Sequence, residues 1–257
     1  MPATDDPVVR LQLVDVAQRL RLLIETWVDL VPHWVVTPSP PGGAEVEPSE
    51  QEASPPSWAD PAPGPDLVVQ SEGAMTLDGL RQEAERCERC SLAATRTTVV
   101  FGEGPVGPKV MFVGEGPGEQ EDLAGRPFVG PAGQLLDRMI AAMGLKREEC
   151  YIANVVKCRP PGNATPTPEW VRACGPYLRR QIELVAPRIL VALGGVAANF
   201  LTGQPLGVVR QRGRVHRHGD IPLVVTYHPA ALLRDPGLKR LAWEDLKMVM
   251  ARLKAMI

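Results

Sequence analysis

Aromatic residues are scarce in this chain of 257 residues, which has four Phe, three Tyr and five Trp. No apolar run approaches the ~20 residues that a membrane-spanning helix needs. The first residues, Met1-Pro2-Ala3-Thr4-Asp5-Asp6, lack the basic start and apolar stretch of a secretion signal. Cysteines number only five, an odd count that leaves one without a partner in any paired scheme. A membrane protein, a collagen and a disulfide-rich secreted scaffold are therefore excluded. The remaining expectation is a reducing, cytoplasmic setting, in which thiols bind metal, catalyse or pack.

Positive charge is also missing in places. Residues 38–65 hold nine prolines and no Lys or Arg, so too little apolar surface is available there to repay ordering. The first 75 residues carry 12 acidic and 3 basic side chains, whereas residues 76–257 carry 18 acidic and 25 basic ones. The net charge of −2 thus hides an anionic leader and a cationic body. A cationic body suits a polyanion such as nucleic acid. Three segments follow: an N-terminal helix within 1–37, a Pro-rich acidic linker over 38–75, and a body over 76–257. Apolar residues recur at helical spacing from Val8 to Val31, which predicts one long amphipathic helix. It would dock on the body, self-associate or bind a protein partner.

In the body, apolar runs at 109–113, 151–156, 188–193 and 222–227 read as buried strands. Helical stretches lie near 132–144, 168–185, 195–202 and 240–256. Continuous apolar strands alternating with helices imply an α/β fold, with a mostly parallel sheet covered on both faces. In such sheets ligands bind beyond the carboxyl ends of the strands. Those ends carry Gly114-Glu115-Gly116-Pro117-Gly118-Glu119-Gln120-Glu121-Asp122, then Asn154, then His228-Pro229. Convergence of carboxylates, an amide and an imidazole at one end of a sheet suggests an active site. The glycine-rich loop is not a dinucleotide fingerprint, because position 119 is Glu and Pro117 lacks a backbone donor. Cys87 and Cys90 form a CxxC, and Cys158 and Cys174 lie in later segments. Spacing alone leaves zinc, an iron–sulfur cluster and a redox pair open.

Taken in order, Cys87-x-x-Cys90, Gly114–Asp122, Gly125-Arg-Pro-Phe128-Val-Gly130, Asn154-Val-Val-Lys-Cys158-Arg-Pro-Pro161, Cys174 and His228-Pro-Ala230 resemble the family 4, iron–sulfur-containing uracil-DNA glycosylases. The resemblance covers roughly residues 76–257. It implies a three-layer α/β/α sandwich and hydrolysis of the uracil N-glycosidic bond in single- or double-stranded DNA by a monomeric catalytic domain. It further implies a [4Fe–4S] cluster on Cys87, Cys90, Cys158 and Cys174, with Cys150 left as a buried packing residue. Phe128 would stack on the flipped uracil and Asn154 would read its edge. His228 would stabilise the leaving base, and Glu115, Gly116 and Pro117 would line the pocket. The family 1 water-activating aspartate is replaced by Gly116, which leaves Glu115, ahead of Glu121, as the candidate carboxylate. Lys157, Arg159, Arg212, Arg214 and Arg234 are expected on DNA phosphates, and Leu232 or Leu233 in the gap left by the base. Two other classes remain: a covalent uracil-DNA trap and a non-catalytic iron–sulfur interaction module. Residues 159–173 hold no His to form a trapping bond.

Overall fold

The computed structural model describes residues 76–256; the expected helix in 1–37 and the linker over 38–75 lie outside them. Helix α1 (Leu77–Glu85) starts where the Thr76 hydroxyl accepts from the Gly79 N–H at 3.1 Å, satisfying one orphan donor of the first turn. A loop with a short 3₁₀ turn (Ser91–Ala94) leads to β1 (Val110–Gly114). Next come α2 (Glu119–Ala124), α3 (Pro131–Ala142), β2 (Tyr151–Asn154), α4 (Pro168–Val185) and β3 (Ile189–Leu193). The chain continues through α5 (Gly195–Thr202), α6 (Gly207–Gln211), β4 (Val215–His218) and β5 (Ile221–Thr226), and ends in α7 (Pro229–Arg234) and α8 (Lys239–Lys254).

The strands form one sheet in the order β2-β1-β3-β5-β4. The first four are parallel, with Gly114 opposite Asn154 and Leu193 opposite Thr226 at their carboxyl ends. All four were expected from their apolar runs, and β1, β2 and β3 are buried along their whole length. The fifth was not. Strand β4 pairs antiparallel at the edge and overlaps the arginine-rich run 210–217. Its residues are exposed or half-buried in alternation, so it has no apolar run to announce it.

Side chains alternate across a strand, and the sheet is covered accordingly. Met111 and Val113 cluster with Leu80 and Ala84 of α1, Leu178 and Ile182 of α4, and Ala197 and Leu201 of α5. The buried Leu135, Leu136, Met139 and Ile140 of α3 and Leu246 and Val249 of α8 lie outside that cluster. Helix α8 packs on β3 and β5, and α3 on α7. This is the expected α/β sandwich. Strand β1 has β2 on one side and β3 on the other, so successive connections diverge from its carboxyl end and leave a crevice there.

Candidate active site and candidate metal centre

A cleft of about 430 Å³ opens at that crevice, within the usual size for a small-molecule site. Its walls are Glu115, Gly116 and Pro117 after β1, Asn154 at the end of β2, His228 and Arg234 of the α7 segment, and the loop Pro160–Pro166. Phe128 closes one side.

Asn154 is buried, and its Oδ1 has no hydrogen-bond partner among the described residues. A buried amide oxygen left unpaired costs about 1–3 kcal/mol, so this atom is held ready for a donor from outside. Gly114 makes room for it. A Cβ at 114 would collide with Asn154 Oδ1 and come within 2.5 Å of Phe128 Cζ. Phe128 is buried but sits at φ 53°, a left-handed conformation rare for a bulky residue. Helix α3 fits beneath it because Gly133 has no Cβ to strike the Phe128 carbonyl. The Phe128 and His228 rings lie 5.5 Å apart, tilted by 32°.

His228 caps α7: its Nδ1 accepts from the Ala230 N–H at 3.2 Å. The neutral ring therefore carries its proton on Nε2. Burial, with the Arg234 charge adding to it, pushes the imidazole down to about 4, so the ring is neutral at pH 7 and offers a single N–H. Burial pushes the Glu115 carboxyl up, opposed by a hydrogen bond from Thr165 and the charge of Arg234.

Glu121, the second candidate carboxylate, is already engaged. Oε2 accepts from the Gly118 N–H at 3.1 Å, and Oε1 from Val129 and Gly130 N–H, both at 2.9 Å. With three backbone donors on it, the group fastens the Phe128 loop to α2 while still lining the cleft. Asp122 is buried and accepts from the Thr97 and Thr98 N–H groups, tying the segment after the CxxC to the same helix. Glu119 is the solvated one, 3.4 Å from Arg159.

On the other side of the β2 exit, Cys87, Cys90, Cys158 and Cys174 line one small cavity with Arg96, Lys157 and Tyr177. All are free thiols, as is the buried Cys150. Among the described residues no three His, Cys, Asp or Glu side chains converge on a single metal ion. Two sulfurs receive N–H groups: Lys157 N to Cys174 Sγ at 3.2 Å and Arg96 Nη1 to Cys158 Sγ at 3.5 Å. Burial pushes the Cys174 thiol up to about 12 even with the Lys157 charge opposing it, so the free thiol stays protonated at pH 7.

Lys157 was expected on phosphate and is instead fully buried. Its Nζ donates to Asn154 O at 2.8 Å and to Gln181 Oε1 at 2.6 Å. Burial pushes the ammonium down to about 8. The residue thus links the cysteine cavity to the strand end that carries Asn154.

Two further assignments change. Arg212 makes a two-pronged ion pair with the buried Asp245, at 2.9 and 3.0 Å, and donates to Leu241 O. It pins α6 to α8 and is withdrawn from the phosphate contacts. Leu232 is completely buried, whereas its neighbour Leu233 is exposed, so only Leu233 is free to enter DNA. Arg214 is exposed and, among the described residues, donates only to Arg210 O. Arg159 borders the cleft loop through Asn163 Oδ1.

Local pattern did not reveal Thr165, the Pro160–Pro166 wall, or Arg147. The Arg147 guanidinium reaches the Pro127 and Phe128 carbonyls from 20 and 19 residues away. A charged residue in a short 3₁₀ turn carries no signal of that contact.

The Uracil DNA glycosylase superfamily model matches residues 101–247. The type-4 uracil-DNA glycosylase of Thermotoga maritima is 44% identical over 182 residues, covering 69% of this chain and 95% of the relative. That of Archaeoglobus fulgidus is 43% identical over 182 residues, covering 68% and 92%. The type-4 uracil-DNA glycosylase of Pyrobaculum aerophilum is 44% identical over 183 residues, covering 68% and 93%.

Proposed function

Because this chain belongs to the uracil DNA glycosylase superfamily, we infer that its cleft hydrolyses the N-glycosidic bond of uracil in DNA. Free uracil is released and an abasic site remains. The observation that carries this reading is the unpaired, buried Oδ1 of Asn154, set between an aromatic ring and a neutral imidazole.

The reaction demands a base outside the stack, a stabilised leaving group and a water at C1′. Extruding the nucleotide costs a few kcal/mol. The Phe128 face returns about 1–3 kcal/mol of it by stacking. Asn154 Oδ1 accepts from uracil N3–H and its amide N–H donates to O4; cytosine offers the opposite polarity at both positions. As the C1′–N1 bond breaks, its electron pair passes into the uracil ring and charge builds on O2. The Nε2–H of His228 is the donor for that oxygen. A neutral imidazole suits the task, since it stabilises the anion without having to lose a charge of its own. Water bonds to C1′ and gives up a proton, for which Glu115 in the cleft wall is the candidate carboxylate; its raised pKa makes it a better base than an exposed one. The charge of Arg234, in the cleft wall, opposes the upward push of burial on that carboxylate and adds to the downward push of burial on the imidazole.

The four cysteines fit a [4Fe–4S] cluster by chemistry: soft donors only, gathered on one cavity, with two N–H groups aimed at sulfur. Cys87 and Cys90 after α1, Cys158 after β2 and Cys174 in α4 would hold it. The group would supply a cross-link between three segments rather than a step in the hydrolysis. Arg159, Arg214 and Arg234 are the phosphate contacts of this reading, and Leu233 the wedge. The partner is uracil-containing DNA and the setting is the cytoplasm.

The test is strand scission of a labelled oligonucleotide carrying one uracil, after alkali treatment. Scission is expected only with uracil. Asn154→Ala and His228→Ala should each lower kcat by about 10²–10³, and the double variant should be inactive. A band resistant to denaturant would mean covalent trapping. No product from brown, cluster-loaded protein would defeat the enzyme reading.

A further inference from the structure

Phe128 is held in its left-handed conformation by two opposed ionic clamps. On the amide side, Glu121 Oε1 takes the N–H groups of Val129 and Gly130. On the carbonyl side stands Arg147, which precedes β2. Its Nη2 donates to Pro127 O at 2.6 Å and its Nη1 to Phe128 O at 3.1 Å. The guanidinium is itself held: Nη1 lies 2.6 Å from Asp137 Oδ1 on α3, and Nη2 and Nε lie 2.9 and 3.1 Å from Glu103 Oε1. Glu103 is shared with Arg126, at 2.8 Å, and these two cations keep its carboxyl below the usual range. A planar fork with five donors can bridge two consecutive carbonyls and two carboxylates together; a lysine cannot.

We propose that Arg147 is a positioning residue for uracil recognition: its guanidinium, braced by Glu103 and Asp137, fixes the Pro127–Phe128 peptides so that the Phe128 ring is preset to receive the flipped base. The inference rests on the reading of Phe128 as the stacking face. Three facts favour a functional over a merely cohesive role. A strained φ at a bulky residue persists only where the surroundings over-determine it, as at functional sites. Both ends of the strained peptide are held by charges rather than by neutral groups. The held ring lines the cleft and adjoins His228. Preset rings spare the ordering cost that a mobile loop would incur at each binding event.

A double-mutant cycle between Phe128→Ala and Arg147→Lys tests it. Arg147→Lys keeps a cation beside Glu103 and Asp137 and removes the two-carbonyl fork; Arg147→Met is the harsher companion, read beside its melting curve and visible absorbance. Phe128→Ala is expected to lower kcat/KM on uracil DNA by roughly 5- to 100-fold. Arg147→Lys should lower it by a comparable factor and weaken inhibition by free uracil in proportion, with binding to abasic DNA unchanged. In the Phe128→Ala background Arg147→Lys should cost less than about twofold, since residues acting through one contact are not additive. Multiplying losses, or an Arg147→Lys enzyme with wild-type kcat/KM beside an impaired Phe128→Ala enzyme, would overturn the role of Arg147 and leave stacking intact. Full activity of Phe128→Ala would instead remove the stacking reading, and the inference with it.

Discussion

Five residues, Asn154 to Cys158, serve two sites built on opposite rules. At Asn154 the chain faces a cleft where a buried amide oxygen has no partner and a neutral imidazole presents one N–H. At Cys158 it faces a small cavity where the sulfurs of Cys158 and Cys174 already accept N–H groups. Between them Lys157 is fully buried, with one bond to each of two oxygens. The cleft leaves one buried amide oxygen unsatisfied at a cost in stability, whereas at the cavity two of the four sulfurs already accept N–H groups from distant segments.

Breaking the cavity should do most damage. Cys174→Ser should abolish the brown absorbance and lower iron content, and the chain should melt early by circular dichroism. Activity should fall with the melting. A cluster-free variant that keeps both wild-type melting and activity would show that the cavity does not support the cleft.

The arginine-rich run offers the same contrast on a smaller scale. Arg212→Met strands the buried Asp245 and should cost about 3–5 kcal/mol, read from urea unfolding. Arg214→Ala should leave stability unchanged while reducing the salt slope of DNA binding by about one. The leucine pair behaves alike: Leu232→Ala should cost about 2–5 kcal/mol as a core truncation, whereas Leu233→Ala should change unfolding little and lower activity on duplex DNA.

A further effect is electrostatic. The folded His228 titrates near 4, against about 6.5 for an ordinary imidazole. Between those values the unfolded chain binds a proton that the folded one refuses. Stability therefore falls as the pH drops from 6.5 towards 4, by roughly 3 kcal/mol in all, and stops falling on this account below 4. His228→Gln should flatten that segment of the stability profile. The rate profile of the wild-type enzyme should show no break near 6.5 from this ring, and Glu115→Gln should remove the acid limb.

Much of the architecture was legible in residue pattern alone. Four parallel strands announce themselves as apolar runs, and α4 and α5 start and stop where their periodicity does, because burial on both faces and helical spacing are properties of neighbours in sequence. Strand β4 was invisible for the converse reason: an exposed edge needs no apolar code. The cleft residues stood out because Asn, Glu and His at strand ends have no structural need to be there.

Side-chain type, order and hydrophobic period determined the α/β class, the strand segments and the set of residues able to perform the chemistry. Tertiary structure decided which of several chemically equal side chains does what. Arg212 meets Asp245 across 33 residues, Lys157 meets Gln181 across 24, and Arg147 meets Glu103 across 44. A charged group's role is set by its partner and its distance from water, and both are established only when segments far apart in the chain are brought together.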